Sequence, residues 1–368
     1  MNPDPVETKN AVPEVEPAPA EETASAPVEE TASVPEPAWK KTLKFVLKFG
    51  VSAGILTYII CTRDIKWSDF TLVNPWCIVA SFFCIYVQLT LTGIRWFSLL
   101  RAVGIRCSLW EALSLQMQGL FFSQFLPGGS VGGDVVKAGI LASRTPAGGK
   151  FNVVFSIFVD RLCGLGALLT ALLGTCLICH AEIARFPEGQ RHGLLLMCAI
   201  CGALLCVVIC VFFSDLLYKV KFFKFFLDIG DRITKDTFKR AASAMELYRR
   251  SWKLLVGWIV ATTLVFFPVL GTPVWLLANG FDGAPRRGFL PCLMISNVSQ
   301  TIAAIPGSFG GTGTRDIAGA EMMTAMGFTD TESGVIPILV TVVTLLVALS
   351  CAVFFIFDRG RRRKGPES

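Results

Sequence analysis

Two glycine-rich stretches of this chain place paired opposite charges beside breaks in apolar sequence. The first, FLPGGSVGGDVVK, covers residues 125–137 and ends with Asp134 and Lys137. The second, PGSFGGTGTRD, covers residues 306–316 and ends with Arg315 and Asp316. Glycines let backbone N–H groups point together at an anion, and a helix that follows adds the positive end of its dipole. Both stretches therefore favour a phosphate site, in which the cations supply charge and the carboxylates orient them or read a substrate amine or hydroxyl. The alternative is that the same four charged residues cap helices and lie at the membrane boundary.

The composition places these stretches in a membrane. Of the 368 residues, 53% are hydrophobic and 17% are charged, against about 25% charged in soluble domains. A membrane-spanning helix needs about 20 mostly apolar residues, and six segments serve as spans, although the third is slightly short. Two further apolar segments, 109–126 and 289–305, each run into a glycine-rich stretch. The six spans are 43–61, 76–94, 163–179, 193–213, 254–277 and 335–357.

The two ends of the chain differ from its body. Residues 1–38 hold nine acidic residues, eight prolines and a single lysine, a composition that predicts a disordered acidic tail. Residues 39–358 form the predicted polytopic membrane domain, and 359–368 form a basic tail. Without the acidic tail the chain has 33 Lys and Arg against 19 Asp and Glu, which indicates a basic membrane body.

The distribution of basic residues predicts the orientation. If the two segments next to the glycines are re-entrant and the N-terminus is cytoplasmic, 26 Lys and Arg lie inside and seven outside, as the positive-inside rule requires. Making both segments full spans moves the ten basic residues between 219 and 253 to the outside. We therefore expect a multi-pass protein of the cytoplasmic (plasma) membrane with both termini in the cytoplasm.

The same model predicts an internal repeat. The order span, span, re-entrant segment, span occurs over residues 43–180 and again over 193–357, and the three full spans between the re-entrant segments give the halves opposite orientations. Ser-Gln also precedes both glycine stretches, at Gln124 and at Gln300. Inverted repeats whose broken helices meet near the midplane are a common transporter plan. The alternative is that glycine-rich breaks recur by chance.

Other charged and reactive residues predict little chemistry. The pair Asp160 and Arg161 opens the span at 163, where structural pairing is expected, and Arg95 and Arg101 are expected to reach the cytoplasmic headgroups. The aromatic and basic segment 219–240 favours an anionic lipid surface over nucleic acid. The chain has two histidines and no Cys/His cluster, nucleophile elbow or Walker loop. We expect no enzyme activity, no cofactor and no metal.

Three ordered motifs resemble a known family. FLPGGSVGGDVVKAGIL (125–141), VDRLCGL (159–165) and PGSFGGTGTRDIAGA (306–320) look like the signatures of the flippase-like membrane family typified by the transmembrane region of lysylphosphatidylglycerol synthases. The resemblance covers roughly residues 40 to 360 and implies an all-helical membrane fold, without the soluble aminoacyl-transfer domain of the full-length synthases. It implies roles for Pro127, Gly132, Gly133, Asp134, Asp160, Arg161, Gly311, Gly313 and Arg315.

This chain departs from the family pattern at two of the charged positions. It has Lys137 where arginine is usual and Asp316 where glutamate is usual, which keeps the charge and changes reach and geometry. Together with the glycine stretches, the resemblance gives one candidate substrate-binding set. The set is Gln124, Pro127, Gly128, Gly132, Gly133, Asp134, Lys137, Asp160, Arg161, Gln300, Pro306, Gly310, Gly311, Gly313, Arg315 and Asp316.

Three functions fit this sequence. The first is binding and translocation of a lipid or lipid-linked phosphate headgroup through a cavity between the glycine stretches. The second is a membrane subunit that presents a lipid acceptor to a separate glycosyl- or aminoacyl-transferase. The third is transport of a small solute. Membrane lipids are the expected partners in the first two, and nucleic acid is a partner in none.

Overall fold

A computed structural model describes Gly54 and residues 57–63, 65–125, 129–212, 246–248, 250–304 and 313–363. In this part of the chain the protein is all-helical, and the one β-bridge pairs Val73 with Phe281. The predicted tail 1–38, most of span 43–61 and the basic segment 219–240 lie outside the described residues.

The helices follow one another in a simple order. They are α1 (Pro75–Ala102), α2 (Leu109–Phe125), α3 (Gly129–Arg144), α4 (Lys150–Ile178), α5 (His180–Ile183), α6 (Glu188–Phe212), α7 (Trp252–Ala261), α8 (Phe267–Asn279), α9 (Phe289–Ala303), α10 (Thr314–Ala325), α11 (Asp330–Ser350) and α12 (Ala352–Arg363). A π-helical turn, Thr262–Phe266, joins α7 to α8, and short 3-10 turns cover Trp67–Leu72 and Ala147–Gly149.

Five of the described helical stretches are long and apolar enough to cross a membrane: Pro75–Ala102, Lys150–Ile178, Glu188–Cys210, Trp252–Asn279 and Asp330–Phe357. They correspond to the last five of the six predicted spans. The predicted span 163–179 is only the second half of α4, which begins at Lys150. Hydropathy did not predict the first half of α4 because polar residues such as Asn152 and Asp160 interrupt the apolar sequence there. Asp160 and Arg161 therefore lie ten residues or more inside a helix and not at its start.

Contacts between loops and helix ends define two ends of the helix bundle. At one end, here the Phe281 end, Asn74 donates its N–H to the Gly280 carbonyl at 2.8 Å, and Arg63 forms ion pairs with Glu321 and Asp330. At the other, the Ile105 end, the Tyr248 hydroxyl donates to the Leu99 carbonyl. Arg144 pairs with Glu111 at that end, at 2.6 Å.

Two helical hairpins enter the bundle from these opposite ends. Hairpin 1 consists of α2 and α3. It begins and finishes at the Ile105 end, where Glu111, near its start, pairs with Arg144, at its last residue. Hairpin 2 consists of α9 and α10, and it begins and finishes at the Phe281 end, where the Arg287 guanidinium donates to the Gly327 carbonyl. The tips of both hairpins, 126–128 and 305–312, lie outside the described residues.

Hairpin 1 depends on a close approach of its two helices. A Cβ added to Gly133 would lie 2.2 Å from the Gly119 carbonyl oxygen, and one added to Gly119 would lie 2.9 Å from Cδ of Lys137. Small residues let helix backbones approach in membranes, where packing drives association. Gly132 and Gly133 belong to α3 and not to a loop before it, as the glycine-rich sequence suggested. The role of Gly133 is to let the two helices pack closely.

We expect Gly133→Ala to lower the free energy of unfolding by at least about 1 kcal/mol, because the added methyl collides with backbone that cannot move alone. Gly139→Ala is the matched control, since it lies in the same helix and a Cβ there meets nothing within 4 Å. Unfolding in denaturing detergent, followed by circular dichroism, measures the free energy of unfolding of both variants. Equal stability of the two variants would contradict the packing role.

Candidate functional site

A cavity of about 760 Å³ lies between the two hairpins. Both hairpins line it, as do α1, α4, α8, α11 and the π-helical turn. A volume of this size accommodates a small ligand or a headgroup. Its wall carries charged side chains that belong to membrane-spanning helices and hairpins. Charged residues in such positions are costly and usually serve a function. The charged lining residues are Arg95, Asp134, Lys137, Arg161, Arg315 and Asp316.

Asp134 of hairpin 1 holds two cations. Its carboxylate accepts from Nε of Arg161 at 2.6 Å and lies 3.1 Å from Nζ of Lys137. The Lys137 ammonium also donates to Oε1 of Gln116 at 2.9 Å and lies 4.8 Å from the ring centre of Trp96. The Lys137 side chain is 4% exposed, whereas that of Arg161 is 55% exposed. Lys137 is thus fixed by its neighbours, and Arg161 is the cation open to the cavity.

Hairpin 2 brings a second charged group to the same cavity. Nε of Arg315 lies 3.4 Å from Asp316, and its Nη2 donates to the Thr341 hydroxyl. The Thr341 hydroxyl lies 2.8 Å from both carboxylate oxygens of Asp316. Gly313 precedes α10 with φ of 90°, a left-handed conformation that glycine adopts without strain. Its N–H donates to Asp316 at 3.3 Å, so the glycine shapes the start of this helix.

A buried ion pair connects Arg95 of the cavity wall to Asp160 behind it. Arg95 donates to both oxygens of Asp160, at 2.8 and 3.2 Å, and to the Thr262 hydroxyl at 3.1 Å. Arg95 is 5% exposed, so the expectation that it reaches the headgroups is wrong. The two-point geometry satisfies both charges away from water. The pair joins α1 to α4 and, through Thr262, to the π-helical turn.

A comparison with models of known protein families assigns the chain to a family. The model of the lysylphosphatidylglycerol synthase transmembrane region matches residues 45–351, which is more than half of the chain. The chain belongs to this family. Neither a curated protein nor a solved structure matches the chain. The family and the five apolar helices together make the chain a multi-pass membrane protein related to lipid handling.

The structure brings together many of the residues predicted from the family motifs and the glycine stretches. Asp160 lies behind the wall as the partner of Arg95, and Gly132, Gly133 and Gly313 lie at helix crossings or starts. Pro127, Gly128, Pro306, Gly310 and Gly311 lie outside the described residues. The predicted residues that line the cavity are Gln124, Asp134, Lys137, Arg161, Gln300, Arg315 and Asp316.

Sequence reasoning placed Arg95 wrongly and missed three further residues that contact the charged groups of this family member. Arg95 lies seven residues before the end of α1, about 10 Å along the helix axis, and that depth was a usable signal. Gln116 and Thr341 are polar residues in apolar helices, which indicates an inward face. Thr262 begins a π-helical turn, a feature that sequence patterns do not reveal and that often occurs at functional sites.

Proposed function

We propose that this protein binds a lipid or lipid-linked phosphate headgroup in the cavity between the hairpins and moves it between the leaflets, without covalent chemistry. The observation that carries the proposal is that hairpins entering from opposite ends contribute charged groups to one cavity. An amphiphile that crosses a bilayer needs a polar path for its headgroup, because an unpaired charge in hydrocarbon costs several kcal/mol.

The arrangement of the hairpins supports a two-sided path. We infer an inverted repeat of residues 43–180 and 193–357, in which each half supplies one re-entrant hairpin and three spans. The opposite entry of hairpins 1 and 2 and the match between the five described spans and the predicted order support it. Related halves with opposite orientation provide two similar conformations that open to opposite sides.

The charge pattern supports an orientation. We infer that both termini are cytoplasmic in a plasma membrane, since 26 basic residues then lie on the cytoplasmic side and seven lie outside. In this orientation hairpin 1 enters from the cytoplasm and hairpin 2 from the opposite side. A headgroup from either leaflet would thus meet one hairpin first.

Lipid movement by reconstituted protein tests the proposal. We expect Asp134→Ala and Arg315→Ala each to lower the rate of transfer of a labelled anionic lipid between leaflets by about tenfold or more, since each change breaks a charged contact at the cavity. The rate is measured in liposomes by dithionite quenching of labelled lipid in the outer leaflet.

Arg185→Ala is the control for this experiment, because Arg185 is exposed at the Phe281 end and does not line the cavity. Equal rates in all three variants would contradict the assignment of the site. Wild-type protein that retains lipid and moves none would instead favour the presentation of a lipid acceptor to a separate transferase.

A further inference from the structure

We propose that Cys176 and Cys198 form a redox-sensitive thiol pair, and that their oxidation to a disulfide fixes α6 to α4 and restrains hairpin 2. Neither cysteine lines the cavity, and only the effect on lipid movement rests on the proposed function. The proposal follows from the spacing of four cysteines, from the contact between two of them, and from the helices that meet around them.

Two Cys-x-x-Cys motifs lie on neighbouring helices. Cys176 is in the last turn of α4 and Cys179 immediately follows that helix, whereas Cys198 and Cys201 are both in α6. Residues three apart lie on the same face of a helix, and α4 packs against α6. All four cysteines accordingly belong to one apolar cluster, in which three are buried and Cys198 is partly buried.

One thiol from each motif takes part in a direct contact. The side chains of Cys176 and Cys198 are hydrogen-bonded to each other, whereas Cys179 and Cys201 interact with Cys176 electrostatically. Among the described residues, no three Cys, His, Asp or Glu side chains are arranged to hold a metal ion. Thiols in contact on packed helices lie close to disulfide geometry. The arrangement therefore favours a bond between two thiols over a metal site.

The pair lies near the Phe281 end of the bundle. α4 begins at the opposite end, because a Cβ added to Gly149, immediately before the helix, would lie 3.4 Å from Cδ1 of Ile105. Cys198 lies about 8 Å along the axis from the start of the predicted span at 193. In the orientation proposed above, this end faces away from the cytoplasm, and disulfides persist in oxidising compartments.

The exposure of the two thiols sets the order of the reaction with a small, membrane-permeable disulfide as the oxidant. Cys198 is partly exposed, whereas Cys176 is buried. The Cys198 sulfur gives up its proton, attacks the oxidant and releases one small thiol, which leaves a mixed disulfide on Cys198. The Cys176 sulfur then loses its proton, attacks the sulfur of Cys198 and releases the second small thiol. The two small thiols carry away the two protons and two electrons that the cysteines lose.

The disulfide would hold a weakly buried helix in place beside hairpin 2. α6 is the least buried of the five described spans, and it packs mainly against α4. The cysteine cluster includes Met294 and Val298 of α9. Asn297 of α9 also donates to the hydroxyl of Thr175, the residue before Cys176, at 3.3 Å. Hairpin 2 therefore packs against the surface that the disulfide makes rigid.

Peptide mapping of the oxidised protein tests the bond. Protein purified in detergent with reductant is transferred to buffer without it and treated with dithiodipyridine. It is then denatured, blocked with N-ethylmaleimide and digested without reduction, and mass spectrometry locates the linked peptides. We expect most wild-type molecules to carry a link between Cys176 and Cys198 and to lose it when reductant is added.

Two alanine variants in α6 separate the paired thiol from its neighbour. Cys198→Ala removes one partner and should abolish the link. Cys201→Ala, in the same helix and the same cluster, should leave the yield of the link at the wild-type level. Oxidation should slow lipid transfer by at least about fivefold in the wild type and in Cys201→Ala, because movements of such elements often limit turnover. It should leave the rate of Cys198→Ala unchanged, and Cys176→Ala replaces this variant if it fails to fold.

The results decide each part of the proposal. Folded wild type that forms no link between Cys176 and Cys198, or that links Cys179 to Cys201 instead, would overturn the thiol pair. Zinc or copper that is bound stoichiometrically by the wild type and lost in Cys198→Ala would do the same. Linked protein that moves lipid as fast as reduced protein would overturn the restraint of hairpin 2. Reduced wild type that moves no lipid would overturn the proposed function, and the yield of the link would still test the pair.

Discussion

Asp160→Ala is expected to lower the free energy of unfolding by about 3–5 kcal/mol, because removing one partner of a buried ion pair leaves the other charge unpaired. Both side chains of this pair are almost fully buried, at 6% exposed for Arg95 and 5% for Asp160. Without Asp160, the partners that remain for the guanidinium among the described residues are the Thr262 hydroxyl and the ring of Phe266, 5.8 Å away. Unfolding by denaturing detergent in mixed micelles, followed by circular dichroism, measures the change.

Two further variants define what the pair contributes. Glu246→Ala removes the partner of Arg250 from an exposed pair, 66% and 78% exposed respectively, and should change stability by at most about 0.5 kcal/mol. Arg95→Met with Asp160→Leu should recover most of the loss, since apolar side chains of similar size need no partner. A loss from Asp160→Ala no larger than that from Glu246→Ala would show that Asp160 does not hold Arg95 in place.

The helices were predictable because hydropathy reports burial in lipid directly. The five described spans and both broken segments follow from apolar runs, and the breaks follow from glycine and proline. The first half of α4 was missed because Lys150–Ile178 carries polar residues that face other helices there. A polar residue whose partner is in the protein lowers hydropathy without shortening the helix.

The charged residues of the site were predictable as a set, and their partners were not. Motif and glycine spacing singled out Asp134, Lys137, Arg161 and Arg315, all of which line the cavity. The sequence suggested that Asp160 pairs with its neighbour, whereas its partner is 65 residues away. Side chains at adjacent helix positions point about 100° apart, and Asp160 therefore faces α1 while Arg161 faces Asp134 of hairpin 1.

The two glycine stretches also differ in a way that composition hides. Glycine adopts helical and left-handed conformations alike, so its presence does not say where a loop ends. In hairpin 1 the helix starts at Gly129 and Gly133 packs on α2. In hairpin 2 the left-handed Gly313 stands immediately before the helix. The backbone conformation distinguishes a glycine that allows close helix packing from one that adopts a positive φ before a helix.

Thr341→Val should lower the rate of lipid transfer by more than tenfold and the free energy of unfolding by about 2–3 kcal/mol. The substitution keeps the shape of the side chain and removes the hydroxyl that lies between Arg315 and Asp316. Asp316 is 1% exposed, so its carboxylate loses a neutral donor that water cannot replace, and hydrogen bonds to charged groups contribute most. Arg315 also loses the contact of its Nη2 and is left with the longer one, 3.4 Å, between its Nε and Asp316.

Thr344→Val is the matched control, because Thr344 lines the same cavity one helical turn further along α11 and its hydroxyl donates to the Val340 carbonyl of its own helix. The same change there should leave both rate and stability near wild type. Transfer rates from liposomes and unfolding in mixed micelles distinguish the cases. If Thr341→Val loses stability but keeps its rate, the hydroxyl supports the fold of hairpin 2 alone. If it loses rate as expected while Thr344→Val does not, the position of Arg315 limits the movement of the headgroup, and Thr341 is the residue that sets it.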